Sequence, residues 1–147
     1  MKKLLIIFLL LIPVIAGLFL LAQSRENKQV EPEIVSENKV KSFPAQTSDE
    51  GQVVVDVQPK LLEVGKEAVF EVTFTTHSVE LDFDLASVSR LKDDQGKELN
   101  AVSWTGGKGG HHLSGELSFP KISDKAKSVE LIISNISEND RSFGWDL

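Results

Sequence analysis

From Gln52 onward, apolar and polar residues alternate in a succession of short runs. Val53, Val55 and Val57 alternate up to Pro59, and Ala68, Phe70, Val72 and Phe74 alternate against Glu67, Glu71 and Thr73. Val79, Leu81, Phe83 and Leu85 then face one way while Glu80, Asp82 and Asp84 face the other. Leu99–Trp104, His111–Phe119, Val129–Ile136 and Ser142–Leu147 complete the series. A period of two is the signature of half-buried strands. Turn chemistry separates most of the runs: Val64-Gly65-Lys66, Asp93-Asp94-Gln95-Gly96, a glycine-rich loop from Thr105, and Pro120 through Lys127. The pattern predicts an all-β fold, an immunoglobulin-like antiparallel β-sandwich of about seven strands over residues 51–147, with no amphipathic helix of useful length. If Ser87–Leu91 is also a strand, the up-and-down order after Phe74 reverses.

The first residues read differently. Met1-Lys2-Lys3 precedes Leu4–Ala22, which carries no charge. A helix of that length approaches the roughly 30 Å hydrocarbon core of a bilayer, and the two lysines would stay on the cytoplasmic side. Residues 1–22 are therefore expected to be an N-terminal transmembrane anchor, or a signal peptide if Val14-Ile15-Ala16 is cleaved. Cleavage there would leave Leu18–Leu21 stranded, which favours the anchor. On either reading the folded part is extracytoplasmic, held at the cell membrane or secreted. Residues 23–50 mix Glu, Lys, Asn, Ser and Gln without a sustained period and are expected to be a flexible linker.

Charge and composition then exclude several classes. The formal net charge is −6, and residues 51–147 carry all of it. An acidic domain of this size lacks the basic face that nucleic acid requires. The absence of cysteine removes disulfides, thiolate ligands and cysteine nucleophiles together.

The candidate chemistry is histidine. All three imidazoles lie in two short segments, Thr76-His77-Ser78 and Gly109-Gly110-His111-His112. If successive strands run up and down, both segments meet at one pole, where sandwich loops commonly form binding surfaces. Neutral imidazoles with an open position suit zinc or copper(II). His77 and His111 are the expected first ligands and His112 a third, with Asp82 or Glu116 as lesser candidates. Trp104, Gly109 and Gly110 are the other expected binding positions. Strand alternation works against a joint site, since it puts His111 with Leu113 and Leu117 but His112 with Ser114 and Glu116. The competing reading makes His111 a core-edge residue, His112 solvated and His77 part of a turn.

Other motifs carry less. Gly106-Gly107-Lys108-Gly109-Gly110 lacks the Ser or Thr of a phosphate loop and opens no helix. Glu80, Asp82 and Asp84 stand nearly 7 Å apart on a strand, too wide to share a calcium ion. Ser78 and Ser114 lie near histidines, yet no G-x-S-x-G turn is present and no catalytic activity is expected.

The runs Thr76-His77-Ser78-Val79-Glu80-Leu81, Trp104-Thr105-Gly106, Gly110 through Pro120 and Arg141-Ser142-Phe143-Gly144-Trp145 resemble a pattern in small bacterial envelope proteins. Those proteins are membrane-anchored or secreted, carry one immunoglobulin-like β-sandwich domain and have no assigned activity. The resemblance covers most of residues 51–147 and implies the fold and location only. The expectation is a tethered extracytoplasmic module that binds copper or zinc through its histidines. The alternative is a non-catalytic interaction or structural module docking another envelope protein.

Overall fold

The computed structural model describes residues 41–147. The expected anchor, and the linker up to residue 40, lie outside them. Among the described residues no helix is long and apolar enough to cross a membrane.

Alternation becomes burial wherever a strand has one face against the core. In β2 (Val53–Leu61) and β3 (Glu67–Thr76), Val53, Val55, Val57, Ala68, Phe70, Val72 and Phe74 are all fully buried. β1 (Gln46–Glu50) precedes them. After a 3-10 turn at Leu85–Val88 come β4 (Ser89–Asp93), β5 (Glu98–Asn100) and β6 (Ser103–Trp104). β7 (His112–Lys121), β8 (Ser128–Ile136) and β9 (Asn139–Asp146) follow. They form two antiparallel sheets, one of order β1-β2-β3-β7-β6 and one of order β5-β4-β8-β9. Leu91, Val129, Leu131, Ile133, Phe143 and Trp145 of the second sheet share one hydrophobic cluster with the inward residues of the first. Phe70 anchors the cluster, with Phe119 edge-on at 5.9 Å and Trp145 at 5.3 Å between ring centroids. Such aromatic contacts add to the burial of apolar area that drives folding.

Three expectations are corrected. Nine strands are described, not about seven, and residues 79–85 are not one of them. Leu81 and Leu85 are fully buried and the acidic residues between them exposed, so the burial alternates, but no neighbouring strand pairs with the segment. The third long-range strand is β4, in the other sheet. The run Leu99–Trp104 is split, since β5 pairs with β4 and β6 pairs with β7 across the two sheets.

The linker boundary also moves. Phe43 is buried and Gln46–Glu50 pairs with β2, so the fold begins inside the segment expected to be flexible. This strap closes the free edge of β9 largely with polar bonds. Gly144 N–H donates to Gln46 Oε1 at 3.2 Å, and Trp145 Nε1–H donates to the Pro44 carbonyl at 2.9 Å. The buried Arg141 guanidinium donates to the Glu50 carbonyl at 2.7 Å and reaches its carboxylate at 3.2 Å. An uncovered strand edge is a template for unwanted pairing, and the strap removes it.

Candidate functional site

At one end of the domain four connections meet. They are the Gly51-Gln52 turn, the β3–β4 connection 77–88, the β6–β7 loop 105–111 and the Ser137-Glu138 turn. Gln52 joins the first two: its carbonyl accepts Thr76 Oγ1–H at 2.7 Å, and its side chain meets the Ser78 hydroxyl. A Cβ built on Gly51 would lie 3.0 Å from Cβ of Ser137, so the first and last turns touch.

The glycine loop is pinned to the β3–β4 connection along its length. Glu80 Oε1 accepts the Gly110 N–H at 2.6 Å. Gly109 N–H donates to the Leu81 carbonyl at 2.8 Å, and Leu81 N–H returns a bond to the Gly110 carbonyl at 3.2 Å. Gly107, Gly109 and Gly110 take φ of 73°, 89° and 85°, a region that side chains disfavour and glycine adopts freely. The loop then folds back on β6 and β7. Trp104 Nε1–H donates to the Gly107 carbonyl at 2.6 Å. A Cβ on Gly106 would overlap the Trp104 indole, and one on Gly115 would overlap the Gly106 backbone.

This accounts for the other expected binding positions. The Trp104 indole N–H, the Gly109 and Gly110 amides and the Gly110 carbonyl all bond within the domain. The three acidic residues of the β3–β4 connection are likewise engaged: Glu80 on Gly110, Asp82 3.6 Å from Lys108, and Asp84 on the Ala86 N–H at the 3-10 turn.

The histidines do meet, though not in the expected pair. β3 and β7 are adjacent and antiparallel, with Thr75 opposite His112. His77 and Thr75 share a strand parity, so His77 lies diagonally across from His112. Their rings stand edge to face at 83°, with centroids 6.5 Å apart. His111 precedes β7, and its carbonyl accepts the Thr76 N–H at 3.0 Å. All three side chains are exposed, so His111 is not the core-edge residue its parity with Leu113 suggested.

No group of three or more His, Cys, Asp or Glu among the described residues is placed to hold a metal ion, so the expected three-histidine centre is not assembled. Asp82 is held toward Lys108. Glu116 stands opposite Glu71 on the sheet face, one residue pair beyond Gly115 and Val72 from the histidine end. Beside His77 lies an open concavity of about 330 Å³, lined by Asp49, Gln52, Val54, Thr75, Thr76 and Ser78 as well.

Sequence reasoning passed over three residues that build this end. In the sequence Glu80 is only one of three acidic residues too widely spaced to share calcium, and Gln52 only the start of the alternating region. Arg141 carried a signal, since it shares parity with Phe143 and Trp145, whose inward face was legible.

No family model and no curated protein matches the chain. Among solved structures, it is similar to a DUF4426 family protein from Pseudomonas aeruginosa PAO1, at 15% identity and a TM-score of 0.41. That match covers 70% of this chain and 92% of the other.

Proposed function

We propose that the chain is a non-catalytic binding module, held at the outer face of a cell membrane by residues 1–22, whose working end is the one bearing His77 and His112. One observation carries this: the β3–β4 connection and the β6–β7 loop are locked together by the Glu80, Leu81, Gly109 and Gly110 bonds, beneath exposed imidazoles. Rigid loops lose little conformational entropy when they bind, which favours recognition.

The strand order supports an immunoglobulin-like topology. β2, β3, β7 and β6 take the places of strands A, B, E and D, while β4, β8 and β9 take those of C, F and G, with β5 beside β4. In that arrangement binding loops gather at one end of the two sheets. The partner is another envelope protein on this reading.

Photocrosslinking with the full chain in cells tests it. Probes at Lys108 and Ser87, on this end, should capture one discrete partner whether or not chelator is present. Probes at Glu71 and Glu130, on the sheet faces, should not. Capture that is absent from the end, or equal at all four positions, overturns the proposal.

The 6.5 Å ring pair favours a second reading, a two-imidazole site for copper(II) or zinc. Imidazoles sharing an ion through bonds of about 2.0–2.1 Å have centroids roughly 5–6 Å apart, which a small side-chain rotation supplies. Calorimetric titration of the full chain with each ion should then show binding lost in His77→Ala and His112→Ala but kept in His111→Ala. Binding weaker than about millimolar sinks this reading.

A further inference from the structure

We propose that Arg90 is the centre of a carboxylate-binding subsite, which takes an aspartate or glutamate side chain of a protein partner. This inference rests on the reading of the histidine-bearing end as a protein-docking end. It goes beyond that reading by naming a second contact point there and the chemistry it recognises.

Arg90 alternates with the buried Ser89 and Leu91, so it stands on the outer face of the second sheet. There it lines an open concavity of about 420 Å³ with Ser87, Val88, Asn100, Ser134 and Asn135. Ser87 and Val88 belong to the 3-10 turn of the β3–β4 connection, and Asn135 leads toward the Ser137-Glu138 turn. The concavity therefore opens at the end that carries the histidines. Two local features shape it. Asn100 stands directly opposite Arg90 across β4 and β5. Between the pairs Ile133–Arg141 and Ile136–Asn139, β8 carries an extra residue, so Ser134 and Asn135 form a bulge. Asn135 takes φ of 60°, a conformation asparagine tolerates better than most side chains. Bulges re-aim side chains and recur beside functional sites.

The charges around the concavity leave Arg90 free. Among the described residues it is exposed and makes no ion pair, whereas Arg141 is buried on Glu50. Acidic residues flank the concavity, but none lines it. Glu98 and Glu130 are diagonal to Arg90, and Lys92 stands directly between them. Asp84 accepts the Ala86 N–H, and Asp140 accepts the Asn135 N–H at 3.0 Å. Glu138 lies beyond Asn135 in the hairpin turn. In a chain of net charge −6, a hollow whose one charged wall is a guanidinium favours an anion.

The donor set selects which anion. A guanidinium presents a planar fork that matches a carboxylate through two parallel bonds. The carboxamides of Asn100 and Asn135 and the hydroxyls of Ser87 and Ser134 supply further donors for its outer lone pairs. A phosphate monoester brings about −1.5 to −2 charges, and no lysine lines the hollow to balance the excess. One carboxylate matches one guanidinium. Val88 adds an apolar wall for the methylenes of an acidic side chain.

Capped tripeptides whose one charge is the side chain provide the test. Isotope-labelled full-length chain in neutral detergent is titrated with N-acetyl-Ala-Glu-Ala-amide, with its Gln counterpart and with inorganic phosphate. The side-chain N–H resonances of Arg90, Asn100 and Asn135 are followed. The Glu peptide should shift them saturably, with a Kd of about millimolar or tighter, and the Gln peptide should not. Arg90→Gln, at an exposed position, should weaken binding at least about tenfold, read on the asparagine resonances. Arg90→Lys keeps the charge without the fork and should fall between the two. No saturable shift, an equal response to the Gln peptide, a response to phosphate alone, or undiminished binding in Arg90→Gln overturns the subsite. Any of these beside intact capture by the probes at Lys108 and Ser87 leaves the docking-end reading standing. Loss of all capture from the unsubstituted chain overturns that reading, and the assignment of the carboxylate to a protein partner with it.

Discussion

Glu80 and Gly110, thirty residues apart in the chain, are joined by a 2.6 Å hydrogen bond from the Gly110 amide to Glu80 Oε1. That bond adds a side-chain tie to the two backbone bonds that Leu81 makes with Gly109 and Gly110 across the same loops. Glu80→Ala should cost about 1 kcal/mol of stability, the ordinary worth of one hydrogen bond, and should selectively speed amide exchange at Gly109 and Gly110. Glu80→Gln keeps an acceptor and should exchange like the unsubstituted chain. Exchange unchanged in Glu80→Ala would show that the loops are held by other means.

Arg141 is the largest fully buried side chain described, and its Nε has no hydrogen-bond partner. Its guanidinium ties β9 to the carbonyl of Glu50 in the strap. Arg141→Ala removes both the tie and the packing volume and should destabilise by about 2–4 kcal/mol. Arg141→Met keeps most of the volume and leaves no buried charge, so it should lie within about 1 kcal/mol of the parent. Urea unfolding midpoints distinguish the two variants.

Ser137 and Glu138 occupy the two central positions of the β8–β9 hairpin turn with φ of 51° and 67°. Turns of this hand favour glycine at the second of these positions. Glu138→Gly should therefore raise stability by about 0.5–1 kcal/mol, read as a higher thermal midpoint. A lower midpoint would mean that the Glu138 side chain makes a compensating contact.

Asp94 holds the opposite end together. Its carboxylate accepts the Lys127 N–H, and that bond, aided by the Gln95 amide, holds its pKa below the ordinary carboxylate value. A carboxyl whose pKa is lower in the folded state contributes stability that is complete above the unfolded value. That contribution is lost as pH falls through the folded value. Asp94→Asn should thus flatten the loss of stability below about pH 4 while changing the neutral-pH slope little. Unfolding midpoints measured between about pH 2 and pH 6 check this.

Much of the fold was legible because β2, β3, β7, β8 and β9 each bury one face and expose the other. The failures have distinct causes. β1 is polar on both faces at a sheet edge, so Gln46–Glu50 looked like linker. β4 offers Leu91 as its one large apolar residue and gave too short a pattern. The 79–85 segment buries Leu81 and Leu85 beneath a loop, which imitates a strand without its ladder. The histidine pair was half legible. Alternation along one strand put His112 on the outer face, but only the offset between β3 and β7 decides that His77 meets it in place of His111. Register across strands depends on pairing partners that no single run encodes.

The central claim is that the end bearing His77 and His112 does the binding. The most direct measurement is competition against the captured partner, using excess full-length chain without a photoprobe. A His77→Ala, His112→Ala variant should compete at least about tenfold less well than the unsubstituted chain, a loss of roughly 1.4 kcal/mol. A Lys125→Ala, Lys127→Ala variant at the other end should compete normally. Equal competition by the histidine variant would contradict the account.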